Sequence, residues 1–316
     1  MAGELVLGID LGGTKIEGAV FSLADGLPVE LARRRIATER DEGYESILAR
    51  VASFAFELVR DAGARVMPPV GVGMPGGVSR RTGLVKNSNT TCLNGRPFRE
   101  DLAVALGVEV RFANDANCFA LAEARHGAAR DHRDGVVFGV ILGTGVGGGW
   151  VFRGDVWDGP QGIGGEWGHH TLEPNGRPCY CGRRGCVERY LAGPDVERAY
   201  AAVSGRRASL AQIIASRRSD PHAEEAIDAM CGAFGRALGN VISIVDPDVI
   251  VLGGGMSNAD LFYDEGRVRV AANVFNDELT TPIVRAELGD AAGVLGAALL
   301  VGSRGEATRQ PPAGIV

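Results

Sequence analysis

The sequence predicts an α/β protein built as two related halves, with a metal-binding knuckle in the second. Three observations carry this reading. An apolar run, a glycine turn and a second apolar run occur at Leu5–Phe21 and again at Val136–Phe152, a repeat that points to paired halves facing each other. The 47 glycines gather in short clusters after apolar runs, where positive φ and close backbone approach to a ligand are most useful. Ligand-type residues crowd one segment: Glu166, His169, His170, Cys179, Cys181, Cys186 and Glu188.

Composition narrows the class. With 316 residues, 45% hydrophobic and 23% charged, the chain suits one large or two medium globular domains. A net charge of −6 argues against nucleic acid as the main partner, because phosphate backbones demand a basic footprint. No apolar run approaches the roughly 20 residues that span a bilayer. Glu4, Asp10 and Lys15 rule out a signal peptide at the start of the sequence. Cys92, Cys118 and Cys231 are scattered, so the pattern is that of a reduced cytoplasmic chain with a thiolate metal site.

The elements follow in order. Leu5–Ile9 reads as a strand ending in Asp10, and Ile16–Phe21 as the strand that returns after Gly12 and Gly13. Between Glu45 and Arg60, Ile47, Leu48, Val51, Phe54, Phe56 and Leu58 recur at helical spacing. Val70–Met74 is a short strand closed by Pro75-Gly76-Gly77, then Phe98–Leu106 a helix, Val108–Phe112 a strand and Ala116–Gly127 a helix. The second half opens with strand Val136–Leu142, a turn over Gly143–Gly149 and strand Trp150–Phe152. Helices are expected near Gly193–Val203, Leu210–Ser216 and Ala223–Val245, then strand Val249–Leu252, a helix after Gly253-Gly254-Gly255, and a final helix Ala291–Leu300. The domains are drawn as 1–118 joined by 291–302, and 119–290, with a frayed tail at 303–316.

Chemistry concentrates at five places. Asp10 can orient Mg²⁺ through water, while Gly12, Gly13, Thr14 and Lys15 present donors to phosphate oxygens; an ordinary hairpin turn gives the same pattern. Gly143-Thr144-Gly145-Val146-Gly147-Gly148-Gly149 holds five glycines in seven positions, an entropic cost that favours a phosphate cradle over a bare hairpin. Gly254, Gly255 and Asn258 suit close approach to an adenosine face, or a plain strand-to-helix turn. Asn114 and Asp115 stand where a strand meets a helix. Asp115 there serves as a general base toward a sugar hydroxyl, or as the helix N-cap. Finally, Cys179, Cys181 and Cys186 with His169 complete a closed tetrahedral Zn²⁺ set, which is structural rather than Lewis-acidic. It would pin Glu166 and Glu188 for hydrogen bonds to sugar hydroxyls.

In this order the motifs resemble the ROK family of sugar kinases over nearly the whole chain. The match runs through Asp10–Lys15, Asn114-Asp115, Gly143–Gly149, Glu166-x-Gly168-His169, the Cys179–Glu188 signature and Gly253–Asn258. The resemblance implies an actin-like (ribonuclease H-like) ATPase fold whose two domains close on sugar and ATP. It implies Mg²⁺-ATP-dependent transfer to a hexose with Asp115 as base, and Gly76, Asn114, Glu166, His169 and Glu188 around the sugar. It also implies a cytoplasmic homodimer acting on a small-molecule hexose, and a final helix packed on the first domain. Lys86-Asn87-Ser88-Asn89-Thr90-Thr91-x-Leu93-Asn94-Gly95 resembles the fructokinase and mannokinase branch, implying fructose, or mannose, phosphorylated at the 6-hydroxyl. N-acetylglucosamine kinases and glucokinases share the catalytic and zinc motifs. A sugar-binding regulatory protein without turnover is the alternative from outside the enzymes.

Overall fold

The computed structural model describes residues 3–24 and 27–302, and the chain folds as two compact units. One holds the chain up to Val78, Thr82–Ala113 and the chain from Ala297; the other holds Ser79–Arg81 and Asn114–Gly296. The division falls at Asn114, not after residue 118, because strand gives way to helix there. The last helix enters the smaller unit only from Ala297. The tail expected to fray, 303–316, lies outside the described residues.

In chain order the smaller unit contains β1 (Glu4–Leu11), β2 (Lys15–Ala24), β3 (Leu27–Ala37), α1 (Tyr44–Asp61), β4 (Val70–Met74), β5 (Gly77–Val78), β6 (Val85–Lys86), α2 (Phe98–Leu106) and β7 (Val110–Asn114). The larger contains α3 (Asp115–His126), β8 (Val136–Leu142), β9 (Val146–Phe152), β10 (Asp155–Val156), α4 (Glu188–Leu191), α5 (Gly193–Ser204), α6 (Leu210–Ser216), α7 (Pro221–Val245), β11 (Val249–Gly253), α8 (Glu265–Ala271) and β12 (Ile283–Arg285). Helix α9 (Ala291–Leu299) follows. No helix among the described residues is long and apolar enough to cross a membrane.

Each unit is organised on a five-stranded sheet, β3-β2-β1-β4-β7 in one and β10-β9-β8-β11-β12 in the other. In both, an antiparallel hairpin (β1–β2, β8–β9) sits beside a parallel neighbour (β4, β11). The repeat in the sequence is therefore a repeat of sheet topology. Central strands read as continuous apolar runs because both faces are covered: Val6, Leu7 and Ile9 in β1 and Val249–Leu252 in β11 are almost wholly buried. Strand β3 escapes that signal. It is an edge strand whose Arg33 and Arg35 pair with Glu17 of β2, and whose Arg34 pairs with Glu57 and Asp61 of α1; charge is how exposed edges are protected.

Helix α3 is held at unusually short range. A methyl group on Gly139 would stand 2.6 Å from Ala120 Cβ, on Gly149 2.4 Å from Ala116 O, and on Gly253 2.4 Å from the Phe119 ring. Gly147 faces Ala116 Cβ at 3.3 Å. The helix thus meets the sheet backbone directly at Gly149, and elsewhere only the Ala116 and Ala120 methyls and the Phe119 ring lie between. Its far end is fixed by buried Glu123, whose carboxylate accepts the N–H groups of Ala128, Glu287 and Leu288 at 2.8, 3.2 and 2.9 Å. Below α3, Phe138 stacks on Trp150 with centroids 4.1 Å apart and meets Trp167 edge-on at 5.6 Å.

Gly149→Ala should therefore lift the first turn of α3 and cost about 1–3 kcal/mol of stability, the usual range for overpacking. Gly255→Ala, whose added methyl meets nothing within 4 Å, should leave the denaturation midpoint close to wild type. Equal midpoints for the two variants would remove the argument.

Candidate active site and metal centre

The segment Trp167–Glu188 folds as a knuckle of tight turns. Gly182 (φ 86°) and Gly185 (φ 71°) both take the left-handed conformation, and a side chain on Gly185 would run into the Glu173 carbonyl. Cys179 N–H bonds to Arg183 O at 2.8 Å and Leu172 N–H to Gly185 O at 2.7 Å. These turns bring one ligand atom each from His169, Cys179, Cys181 and Cys186 within 4.8 Å of one another. The Cys181 and Cys186 sulfurs are 3.6 Å apart, and Cys179 Sγ is 3.7 Å from His169 Nδ1. Ligands at Zn–S of about 2.3 Å subtend tetrahedral edges of about 3.8 Å, which these two pairs match, so the donor set suits a zinc ion. None of the six cysteines is in a disulfide. Burial and the neighbouring thiols push the Cys186 thiol up while Cys181 is drawn down, and a cation bound by the set would hold the thiolates and release protons.

The same turns place the residues that could meet a sugar. Glu166 precedes a single helical turn, Trp167–His169, anchored by Trp167 Nε1–H donating to Gly147 O at 2.8 Å. With Nδ1 toward the cluster, His169 leaves Nε2 beside the Tyr180 hydroxyl at 3.1 Å. Tyr180 was not expected at the site, although its place between two cysteine ligands is a usable signal. Glu188 opens α4, and its Oε2 accepts Val146 N–H at 3.0 Å. That oxygen lies 2.9 Å from where a Gly145 side chain would begin, which explains the glycine. His170 is turned the other way, its Nδ1 2.8 Å from Trp167 O.

Asn114 and Asp115 share the start of α3. The N-cap is Asn114, whose Oδ1 accepts Ala116 N–H at 2.9 Å. Asp115 is the first helical residue. Its Oδ1 shares the Ala116 N–H at 2.8 Å, and burial pushes its carboxyl above the ordinary aspartate range against the pull of the Ala116 N–H.

The glycine clusters divide by task. In the smaller unit Gly12 N–H bonds to Lys15 O at 2.9 Å, closing the turn that follows Asp10; Thr14 lies exposed. Lys15, expected at phosphate, has its ammonium 3.3 Å from Glu17 on the same face of β2. Gly76 (φ 85°) is dictated by the chain opposite, since a side chain there would lie 2.5 Å from Lys86 O. In the larger unit the expected seven-residue cradle shrinks to Gly143-Thr144-Gly145, because β9 begins at Val146. Gly147 is paired with Ile141 in the hairpin, and Gly147, Gly148 and Gly149 are glycines because α3 and Trp167 press on them. After β11, Gly254 (φ 81°) passes so near Leu142 O that a side chain would sit 2.3 Å away. A short helical turn, Gly255–Asn258, follows in place of the expected longer helix. It leaves Gly254, Gly255 and Asn258 exposed while Met256 and Ser257 are buried.

Comparison with known proteins gives this arrangement a family. The chain is 36% identical over 304 residues to an N-acetyl-D-glucosamine kinase of Photobacterium profundum, covering 93% of this chain and 98% of that protein. The ROK hexokinase of Thermus thermophilus superposes with a TM-score of 0.82 at 35% identity, covering 93% of this chain and 97% of that one. A ROK family glucokinase from Streptomyces griseus in complex with glucose and AMPPNP gives 0.72 at 27% identity, covering 94% and 98%. The two sheets of like topology make this the actin- and hexokinase-like ATPase fold. The ROK family model matches residues 6–304, and the protein belongs to the ROK family.

Proposed function

We propose that this protein is an ATP-dependent sugar kinase that phosphorylates N-acetylglucosamine at the 6-hydroxyl. The observation that carries the kinase reading is the start of α3, where Asn114 takes the cap and leaves the carboxylate of Asp115 poised as a base. Support for an amino sugar comes from N-acetyl-D-glucosamine kinases that match at 36–37% identity over 93% of this chain. Fructose or mannose, suggested by Lys86–Gly95, loses its support on inspection of that loop. Asn94 donates to Ser88 O and accepts Ser88 N–H, both at 2.9 Å, and Asn87 takes φ 58°. These contacts shape a turn, and the relatives' amino-sugar activity outweighs the loop's resemblance in this reading.

In this mechanism Asp115 accepts the proton of the attacking hydroxyl, while Asn114, Glu166, His169 Nε2 and Glu188 orient the ring. Gly12 N–H and Gly143 N–H close their own turns, so the N–H groups left for phosphate oxygens are those of Gly13 and Thr14 in one turn and of Thr144 and Gly145 in the other, and Gly254, Gly255 and Asn258 face the nucleotide. Asp10 offers the oxygen donor that suits Mg²⁺, which when bound neutralises phosphate charge. Zinc at His169, Cys179, Cys181 and Cys186 is a clamp, since four protein ligands fill its coordination. An ATP requirement and a thiolate metal site fit a cytoplasmic enzyme. The homodimer that the family resemblance implies is part of the proposal.

A panel of hexoses and N-acetylhexosamines with Mg²⁺-ATP should give the highest kcat/KM on N-acetylglucosamine. A preference for fructose would overturn the substrate assignment, and sugar binding without turnover would mark a sensor in place of an enzyme.

Asp115→Asn should lower kcat by about 10²–10⁴-fold, the usual worth of a positioned base, with sugar and nucleotide affinities nearly unchanged. Because the folded-state pKa of Asp115 is raised, its stabilising protonated form is lost as pH rises through that value, and at neutral pH the charge costs stability. The Asn variant should thus melt no lower than wild type. The acidic limb of the kcat/KM profile should lie above the ordinary aspartate pKa. A limb at the ordinary value, or full activity in the variant, would exclude Asp115 as the base.

Metal analysis of the purified protein should find zinc. Cys181→Ser should lower its affinity by at least about tenfold and raise KM for the sugar more than KM for ATP, because metal loss loosens the segment carrying Glu166, His169 and Glu188. Equal rises in both constants would point to general unfolding.

A further inference from the structure

We propose that Arg40 is the side chain that grips the transferring phosphoryl group at the Gly12–Gly13 turn, the part that the sequence pattern offers to Lys15. The proposal rests on the kinase reading above.

Lys15 is already engaged. It alternates with the buried Ile16 and shares its face of β2 with Glu17, whose carboxylate also holds Arg33 at 2.9 Å and Arg35 at 2.7 Å. Three cations thus converge on one carboxylate that is only 5% exposed. Pulling Lys15 toward a phosphate would weaken that set.

Arg40 stands on the other side of the turn. One guanidinium nitrogen, Nη1, lies 3.8 Å from the point where a Gly13 Cβ would sit, and the amide oxygen of Asn89 lies 3.3 Å from the same point. Any side chain at Gly13 would fill this space. A polar pocket of about 270 Å³ opens there, lined by Arg40, Asp41, Asn89 and Thr91.

The surroundings leave Arg40 its charge. Glu39 and Glu42 are drawn to Arg50 at 2.5 and 2.7 Å. The carboxylate nearest Arg40 is Asp41, fully exposed and 3.9 Å away, a pair that is largely screened by water. The segment is also tied to the turn it would serve. Buried Thr38 donates its hydroxyl to Gly12 O at 2.7 Å, and its N–H bonds to Thr14 O at 3.0 Å. Between Thr38 and Arg40, Glu39 holds φ 49°, a left-handed conformation uncommon for a non-glycine residue. A guanidinium fork matches phosphate oxygens in a bidentate way that an ammonium does not.

The test compares ADP with AMPPNP, both with Mg²⁺, by calorimetry on wild type, Arg40→Ala, Arg40→Lys and Lys15→Ala. Arg40→Ala should weaken AMPPNP by about tenfold or more, the worth of hydrogen bonds to a charged group, while ADP stays within about threefold. Arg40→Lys should fall between, and Lys15→Ala should leave the AMPPNP-to-ADP ratio near wild type. If the alanine variant melts early, the ratio is read from Arg40→Lys. An unchanged ratio in both Arg40 variants, or equal losses for the two nucleotides, overturns the role of Arg40. A wild type that binds neither nucleotide overturns the kinase reading itself.

Discussion

Much of the larger unit depends on how closely α3 approaches its sheet. Ala116, Phe119 and Ala120 lie against Gly139, Gly147, Gly149 and Gly253 with no room for a single methyl group at the tightest points. A helix held at backbone distance has little freedom to slide or tilt, and that rigidity is passed to the residue at its first turn, Asp115. A general base works only when held within hydrogen-bond reach of its proton. For the base proposed at Asp115, the glycines under α3 would therefore be positioning elements, although none of them needs to touch a substrate. Glu123 completes the constraint by taking three backbone N–H groups near the helix's other end.

Glu188 joins this platform to the metal knuckle. One of its oxygens is spent on Val146 N–H, where β9 leaves the glycine turn. Its backbone follows Cys186 by two residues, so the cluster sets where the carboxylate begins. Trp167 makes a second tie, through its indole N–H on Gly147 O and its ring against Phe138. The His/Cys cluster, the glycine turn and the loop carrying Glu166 and His169 thus form one mechanically coupled piece. A structural metal with no open coordination position can then matter to substrate affinity while taking no part in the chemistry.

The sheet strands and most helices were legible because their burial is simple. Val136–Leu142, Leu210–Ser216 and Phe98–Leu106 appear with the limits their apolar spacing gave. The zinc ligands were legible because thiolate chemistry leaves few alternatives for that spacing. What misled was glycine. Gly147, Gly148 and Gly149 looked like a phosphate cradle, since a local pattern shows that a side chain is excluded but not what excludes it. Strand β3 was missed for a related reason: its Arg33, Arg34 and Arg35 find their partners on β2 and α1, far along the chain. Lys15, a cation beside a glycine turn, has a partner two residues on that its local pattern did not announce.

The identity of the sugar follows a different logic from the identity of the reaction. The proposed base, the phosphate turns and the His/Cys cluster serve the reaction rather than the choice of sugar, and they dominate the motifs. Discrimination between hexoses rests on a few hydroxyl or amide contacts, each worth little more than an ordinary hydrogen bond. Such contacts come from loops whose sequences also have to fold. At Lys86–Gly95 the folding demand dominates: Gly76 exists to clear Lys86 O, and Asn94 exists to close on Ser88. A motif fixed by its own turn geometry recurs wherever that turn is useful. It can mark the family without marking the substrate, which is why overall relatedness along the chain weighs more than this stretch in choosing N-acetylglucosamine.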